Sequence, residues 1–245
     1  MSDPFLPRVG GTLSADIAVP EHERELRFYS RVLTTGENPL WREDLINNLG
    51  MPIIGLGAHK AEYADLPLQW MPHIQVADVA ASVERALVLL DPNGAAFGLI
   101  PVVSEEAIAP KEGGGARDTS ARAGCIAWLD LTVSDASTTR DFYRQVIGWS
   151  VQDVAMEHAG ERYADYNMLG DDGSPAAGVC HARGANLGLP VAWMIYLPVG
   201  DLAESLRRVR DEGGKVIKAT QGADGEYAYA AIQDPVGACF ALVPG

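Results

Sequence analysis

The stretch LPLQWMPHIQVADVAASVER (residues 66–85) recurs as LPVAWMIYLPVGDLAESLRR (residues 189–208), with nine identities in twenty aligned positions. Two more pairs of segments match in the same order: residues 14–33 with 128–147, and DPNGAAFGLIP (91–101) with DPVGACFALVP (234–244). Three collinear matches indicate an internal duplication. We predict an N-terminal domain over 1–110, a Gly-rich linker over 111–124 and a C-terminal domain over 125–245.

The hydrophobic pattern of the second half predicts the elements of the repeat. IAWLDLTV (126–133) alternates as a strand does, and a helical stretch ending in RDFYRQVIGW (140–149) follows Asp135. Three further strand-like segments come next, separated by Gly and Asp turns. A strand, a helix and three strands then recur over 192–245. The sequence therefore predicts an α+β fold of paired βαβββ units, four in the whole chain.

The first half departs from this pattern after its second helix. The helical stretch DVAASVERAL (78–87) runs directly into VLLDP (88–92), without the turn that a helix needs before a strand. We predict that a strand and a loop present in the second half are missing between about Leu87 and Val88. Two explanations stay open, namely a true deletion and a segment absent from the sequence.

The composition excludes several classes of function. The formal charge of −14 opposes binding to nucleic acid, and no apolar run reaches the roughly 18 residues that span a bilayer. The N-terminus does not have the pattern of a signal peptide. Three widely separated cysteines indicate a reducing compartment. We expect a cytoplasmic protein without a nucleic-acid or membrane partner.

The order of these motifs resembles the vicinal oxygen chelate superfamily. The similar features are a strand ending V-S-D, a helix ending D-F-Y-R-Q-V-I-G-W and a terminal D-P-x-G-x-x-F-x-L strand. That superfamily includes glyoxalase I, extradiol dioxygenases, fosfomycin-resistance enzymes and bleomycin-binding proteins. The resemblance implies a glyoxalase/bleomycin-resistance-like fold in which paired βαβββ units form a cup. In the family, inward-facing residues of that cup bind a divalent metal that polarises vicinal oxygens of the substrate.

The resemblance also identifies the positions at which the family binds its metal. In this chain those six positions hold Trp128, Met194 and Ala241 in the second half and Ser14, Met71 and Gly98 in the first. Divalent metals of this kind need carboxylate, imidazole or carbonyl donors, and these side chains supply none. We therefore expect no metal cofactor; a divalent metal stays possible without support from the ligand positions.

The residues left on the inward faces suggest a pocket for a small molecule. Residues two apart on a strand share a face, so Asp130 lies with Trp128, Asp16 with Ser14, His73 with Met71 and Tyr196 with Met194. Small residues on the last strands, such as Gly98 and Ala241, would leave space beside them. The predicted ligand pocket comprises Trp128, Asp130, Met194, Tyr196, Ala241, Asp16, Met71, His73 and Gly98.

Structural explanations compete with each of these assignments. The tryptophans and methionines of the repeat are typical of a hydrophobic core. Packing between helix and sheet explains the aromatic pairs of the helices, Phe28 with Tyr29 and Phe142 with Tyr143. The acids could satisfy backbone amides, and small residues could let backbones approach closely. We assign no chemistry to the other four histidines, which include His181.

Two functions fit the sequence. In the first, the protein binds an apolar or planar small molecule without chemistry, and its negative charge favours cationic ligands. In the second, it is a lyase, isomerase or dioxygenase with a non-standard metal site, or an acid–base catalyst that uses Asp130 or Asp16 with His73. One half could also be a structural relic, and a homodimer is possible.

Overall fold

We describe the fold from a computed structural model, which describes residues 7–33, 41–42, 45–46, 54–61, 65–85, 90–104 and 126–245. Four modules follow one another along the chain. Module 1 consists of β1 (Thr12–Val19), α1 (His22–Leu33), β2 (Trp41–Arg42), β3 (Leu45–Ile46) and β4 (Ile54–Ala58). Module 2 consists of β5 (Met71–Val76), α2 (Val79–Arg85) and β6 (Gly98–Pro101).

The two modules of the second half have the predicted strand, helix and three strands. Module 3 consists of β7 (Trp128–Val133), α3 (Ala136–Ile147), β8 (Ser150–His158), β9 (Glu161–Leu169) and β10 (Pro175–His181). Module 4 consists of β11 (Trp193–Val199), α4 (Leu202–Asp211), β12 (Lys215–Gln221), β13 (Tyr227–Gln233) and β14 (Cys239–Pro244). The α+β class is confirmed, and so is the N-cap at Asp135, whose carboxylate accepts a hydrogen bond from the Thr138 amide.

Module 2 is shorter than module 4, as the sequence predicts. Between α2 and Ser104, the described residues form one strand, β6, and an isolated bridge between Leu90 and Ala96. The junction predicted near Leu87 and Val88 lies outside the described residues, so the two explanations for it stay open. The linker predicted over 111–124 also lies outside them.

The same strand pairing recurs in all four modules. The first strand of each module pairs in parallel with its last strand: β1 with β4, β5 with β6, β7 with β10 and β11 with β14. In modules 3 and 4 the remaining strands add antiparallel neighbours, which gives the orders β7-β10-β9-β8 and β11-β14-β13-β12. This recurrence fixes equivalent positions in the four modules through their hydrogen-bond register.

Contacts divide the chain into two compact units, and neither is continuous in sequence. Unit 1 contains modules 2 and 3, the described residues before Ser14, and the start of β11 as far as Met194. Unit 2 contains module 1 from Ser14 and module 4 from Ile195. Each unit thus combines one module from each half of the chain. The predicted boundaries at 110 and 125 follow the sequence repeat and stay a prediction.

A buried chain of hydrogen bonds lies in the core of unit 1. The Trp193 indole Nε1 donates to the Tyr143 hydroxyl (2.9 Å), which donates to Oδ2 of Asp91 (3.4 Å). Trp193 and Tyr143 have no exposed surface, and Asp91 is buried as well. Phe97 packs edge-on against Tyr143. These residues join module 2 to module 3 and to the start of β11.

Unit 2 contains the same chain of hydrogen bonds, formed by the equivalent residues. Trp70 Nε1 donates to the Tyr29 hydroxyl (3.1 Å), which donates to Oδ2 of Asp234 (2.8 Å). Phe240 packs against the Tyr29 ring at 5.1 Å between ring centroids. Tyr29, Trp70 and Phe240 are fully buried. The expected packing role of Tyr29 is therefore correct but incomplete, because its hydroxyl links two polar partners.

The aspartate at the end of each chain also shapes a turn. Oδ1 of Asp234 accepts the amides of Gly237 (2.8 Å) and Ala238 (2.7 Å), and Oδ1 of Asp91 accepts that of Ala95 (2.9 Å). These bonds fold the D-P-x-G segment ahead of the last strand of the module. The Asp-Pro-x-Gly repeat is thus explained by a carboxylate that serves a turn with one oxygen and a tyrosine with the other.

Glu25 makes the two units chemically different. It is fully buried in α1, and burial together with the nearby charge of Asp234 raises its pKa to about 8. Asp234 accepts hydrogen bonds from Tyr29 and turn amides, which stabilise its charged form, so Glu25 is the partner that keeps a proton at neutral pH. The equivalent residue of unit 1 is Thr139, whose hydroxyl accepts a neutral hydrogen bond from Asn93 (2.9 Å).

None of the helices that the structure describes is long and apolar enough to cross a membrane. The expected cytoplasmic location stays a prediction.

We predict that Glu25→Gln stabilises the protein at alkaline pH. Between its usual pKa of 4.5 and about 8, folded Glu25 holds a proton that the unfolded chain has released, so stability falls as pH rises through this range. Glutamine does not ionise, so the stability advantage of the variant over the wild type should grow by roughly 3 kcal/mol between pH 5 and pH 8. Urea unfolding at pH 5 and pH 8 measures the difference.

The matched control is Glu21→Gln, since Glu21 is exposed, immediately precedes α1 and pairs with Arg24. We expect this control to leave the pH dependence unchanged. An advantage of Glu25→Gln that is equal at pH 5 and pH 8 would contradict a buried, protonated Glu25.

Candidate functional site

Trp128 and Asp130 form a fixed polar and aromatic wall on β7 of unit 1. The indole Nε1 of Trp128 donates a 2.7 Å hydrogen bond to Oδ1 of Asp130, and both residues are partly exposed. They lie two positions apart, so the strand places them on one face. Their neighbours Leu129 and Leu131 point the other way and are buried. The hydrogen bond holds both side chains in one arrangement.

Gly178 explains why the Asp130 carboxylate can lie as it does. It pairs in register with Asp130 across β7 and β10. A Cβ atom at Gly178 would overlap Oδ1 of Asp130, so the carboxylate occupies the space that a side chain would need. Cys180 follows on the same strand, and burial, with the nearby charges of Asp130 and Asp165, raises the pKa of its thiol. That thiol therefore stays neutral and is a poor nucleophile.

The equivalent wall in unit 2 is aromatic. Tyr196 pairs with Ala241 across β11 and β14, and Ala241 pairs in turn with Ala231 on β13. The rings of Tyr196 and Tyr229 stack with centroids 5.4 Å apart and planes inclined by 20°. Both alanines are fully buried. Small residues here support a stacked pair of tyrosines.

The predicted residues of the first half lie at equivalent positions. Asp16 pairs with Gly55 in unit 2 and is exposed, and His73 pairs with Gly98 in unit 1 and is partly exposed. A Cβ atom at Gly98 would collide with the imidazole of His73. The small residue at 98 therefore accommodates the facing ring, where the sequence suggested open space.

The remaining candidates are distributed between core and surface. Met194 is buried, whereas Met71 and Ser14 are partly exposed. Asp16 and His73 belong to different units, whereas Asp130 and His73 are both in unit 1. The roles of all nine predicted pocket residues stay predictions.

A family model described as the Glyoxalase/Bleomycin resistance protein/Dioxygenase superfamily matches residues 125–242. These residues belong to that superfamily. The match covers nearly all of modules 3 and 4. The predicted recognition of this superfamily is confirmed.

Relatives of known name share about half of the chain. The anthracycline biosynthesis protein DnrV of Streptomyces peucetius is 29% identical over 131 residues, which cover 49% of this chain and 46% of that protein. The part of the chain that matches thus spans about half the length of this relative.

Solved structures of a dioxygenase and a glyoxalase share the fold along nearly the whole chain. One of them is the 2,2',3-trihydroxybiphenyl 1,2-dioxygenase of Sphingomonas wittichii strain RW1. The alignment with it covers 98% of this chain and 91% of the dioxygenase, at 15% identity and a TM-score of 0.54. The Mn(II)-bound glyoxalase of Novosphingobium aromaticivorans covers 98% and is covered to 83%, at 14% identity and a TM-score of 0.51. At this level of identity the likeness concerns the fold alone.

The donor set does not fit the metal of this superfamily. Trp128, Met194 and Ala241 occupy the positions that the resemblance implies for metal ligands in the second half, and none of these side chains offers an oxygen or imidazole donor. The carboxylate of Asp130, two residues from Trp128 on β7, accepts a hydrogen bond from the Trp128 indole. Within the part of the chain that the structure describes, no group of three or more His, Cys, Asp or Glu residues could hold a metal ion.

The structure also reveals a polar pair that the sequence did not identify. His181 ends β10, where its backbone amide and ring Nδ1 both contact Oδ1 of Asp165, at 2.7 and 3.2 Å. We assigned no chemistry to His181 from the sequence because it falls in a predicted loop or helix start. Its partner Asp165 is sixteen residues away in sequence, on a neighbouring strand. Strand register, which the sequence does not fix, brings the two together.

We predict that Gly178→Ala displaces the Asp130 carboxylate from Trp128. The new methyl group would collide with Oδ1 of Asp130, and overpacking of this kind costs about 1–3 kcal/mol. Adding Asp130→Ala should recover part of the loss, because it removes the collision. Chemical unfolding of the two variants measures this coupling.

Gly57→Ala is the matched control on β4, since a Cβ atom there meets only the backbone oxygen of Ile17 at 3.9 Å. Equal stability of Gly178→Ala and Gly57→Ala would show that Asp130 is not held over Gly178.

Proposed function

We propose that the protein binds a planar small molecule with a cationic group against Trp128 and Asp130, without a metal at the family position. The observation that carries this proposal is the 2.7 Å bond between the Trp128 indole and the Asp130 carboxylate. It places a flat aromatic surface beside a fixed negative charge, where the family has its metal-binding strand.

The chemistry of this wall favours a flat cation. The indole is the best of the aromatic side chains at attracting a cation placed over its face. The carboxylate of Asp130 adds a charge that is partly shielded from water, so its attraction is stronger than on an open surface. The formal charge of −14 adds a general field of the same sign.

The Streptomyces relative supports the same class of ligand. Its name places that protein in anthracycline biosynthesis, and a ligand of fused planar rings suits an indole wall. Binding without chemistry also suits the side chains at the family metal positions. The proposed partner is thus one small molecule, and no metal cofactor is proposed.

Two dyes of similar shape test this proposal. Proflavine is a planar aromatic cation, and acridone is a neutral planar molecule of similar size. Asp130→Asn should weaken proflavine binding about tenfold, or ~1.4 kcal/mol, and leave acridone binding unchanged. Trp128→Leu should weaken the binding of both dyes. Fluorescence titration gives the dissociation constants.

Asp16→Asn is the matched control, because Asp16 holds the equivalent position opposite Gly55 in module 1. It should leave both affinities unchanged. Proflavine binding that is equally strong in the wild type, Asp130→Asn and Trp128→Leu would refute the proposed site.

Metal analysis gives a second test. After incubation with zinc, nickel, iron and manganese ions and removal of the excess, we expect well below one ion per chain. Tight stoichiometric retention of any of these ions, lost in a single-site variant, would contradict the metal-free proposal and favour an enzyme with a non-standard metal site.

A further inference from the structure

In every module the parallel pair formed by the first and last strands ends at an equivalent position, and one of the four modules has a polar residue there. In each module a valine closes the first strand: Val19, Val76, Val133 and Val199. The residues paired with these valines are Ala58, Pro101, His181 and Pro244. Three of the four positions have a small or apolar residue, so the fold itself does not require a histidine there.

His181 is held by a buried carboxylate. Asp165 is only 4% exposed, and its Oδ1 accepts the His181 amide at 2.7 Å and faces ring Nδ1 at 3.2 Å. Because an ionised carboxylate only accepts hydrogen bonds, Nδ1 carries the proton and Nε2 carries the lone pair. This arrangement orients the imidazole as a base and stabilises the imidazolium that would form.

The surroundings of His181 provide an aromatic surface and a cation. The His181 side chain is 14% exposed, and the Tyr163 ring stands edge-on to it at 5.6 Å between centroids. The Arg183 guanidinium lies 5.5 Å from the centre of the Tyr163 ring. The Arg183 amide donates to the His181 carbonyl at 2.7 Å, which places both residues in one tight turn.

Other charged and aromatic groups near His181 come from α3 and β9. The carboxylate of Asp135 interacts with His181, and hydrogen bonds from Ser137 and Thr138 keep the pKa of Asp135 below its usual range. Tyr166 lies 6.2 Å from the imidazole, with Arg140 over its ring.

We propose that His181 and Asp165 form an acid–base pair that takes the proton of a weakly acidic hydroxyl, as in a phenol or an enol, with Arg183 next to the resulting oxyanion. The O–H bond of the ligand breaks, its electron pair stays on the oxygen, and the proton forms a bond with Nε2 of His181. Asp165 stabilises the imidazolium through Nδ1–H, and the proton later returns to water or to the ligand. Asp165 is a positioning residue in this step.

This site is separate from the Trp128–Asp130 wall. Val133 and His181 pair three residues beyond Asp130 and Gly178, or about 10 Å further along the ladder. Proflavine binding by the wild-type protein tests the proposed function, and phenol ionisation by the same protein tests this inference, so either can fail without the other.

The probe is 4-nitrophenol, whose absorbance distinguishes phenol from phenolate. One pH unit below the pKa of the free probe, roughly a tenth of it is ionised in solution. With saturating wild-type protein we expect at least half of it as phenolate. His181→Gln should return the bound probe to the solution value, and Arg183→Gln should lower the phenolate fraction. His59→Gln, which changes an exposed histidine directly after β4 in unit 2, should behave as the wild type.

The inference is overturned if wild-type protein does not bind the probe, if the bound probe stays protonated, or if His181→Gln gives as much phenolate as the wild type. Nitrogen-15 NMR of the wild-type protein provides a measurement that needs no variant. We expect the tautomer of His181 with the proton on Nδ1, and a proton on Nε2 alone would refute the pair.

Discussion

In each unit a tyrosine hydroxyl lies between an indole N–H and a carboxylate, and the rest of the unit is built around this buried chain. The tyrosine comes from the helix of one module, the carboxylate from the last turn of another, and the tryptophan from the segment that begins the strand of a third. Buried polar groups cost about 1–3 kcal/mol each when their partners are lost. These hydrogen bonds therefore disfavour any arrangement in which the three modules are not in contact. The aromatic packing around the bonds buries further apolar surface.

The repeat predicts which residues matter to the fold, but not how they combine. Tyr29, Trp70 and Asp234 all lie in segments whose repeated sequences indicate the duplication, and the strands of modules 3 and 4 follow from the same patterns. The partnership of Tyr29 with Asp234 spans 205 residues and joins opposite halves of the chain. Hydrophobic period and turn residues are local signals, so they do not determine which module packs with which.

The candidate sites combine residues at which the modules differ, Trp128 and His181, with one that module 1 shares, since Asp130 corresponds to Asp16. The sequence predicts Trp128 and Asp130 as neighbours on one face of a strand, and the structure joins them by a hydrogen bond. It does not predict the role of Gly178, because that role depends on register across two strands. The same limit applies to Asp165 and His181. Glu25 shows a related effect in the core, where a buried acid replaces the threonine of the equivalent helix.

The repeated residues Tyr143 and Trp193 hold unit 1 together, whereas Trp128, at which the modules differ, belongs to the proposed binding site. The most direct test compares the unfolding free energies of Tyr143→Phe and Trp128→Phe in one series. Tyr143→Phe leaves the Trp193 indole and Asp91 without their shared partner, and we expect it to lose about 1–3 kcal/mol. Trp128→Phe, which removes a bond at a partly exposed site, should stay within about 0.5 kcal/mol of the wild type. Equal losses in the two variants, or no loss in Tyr143→Phe, would contradict the claim.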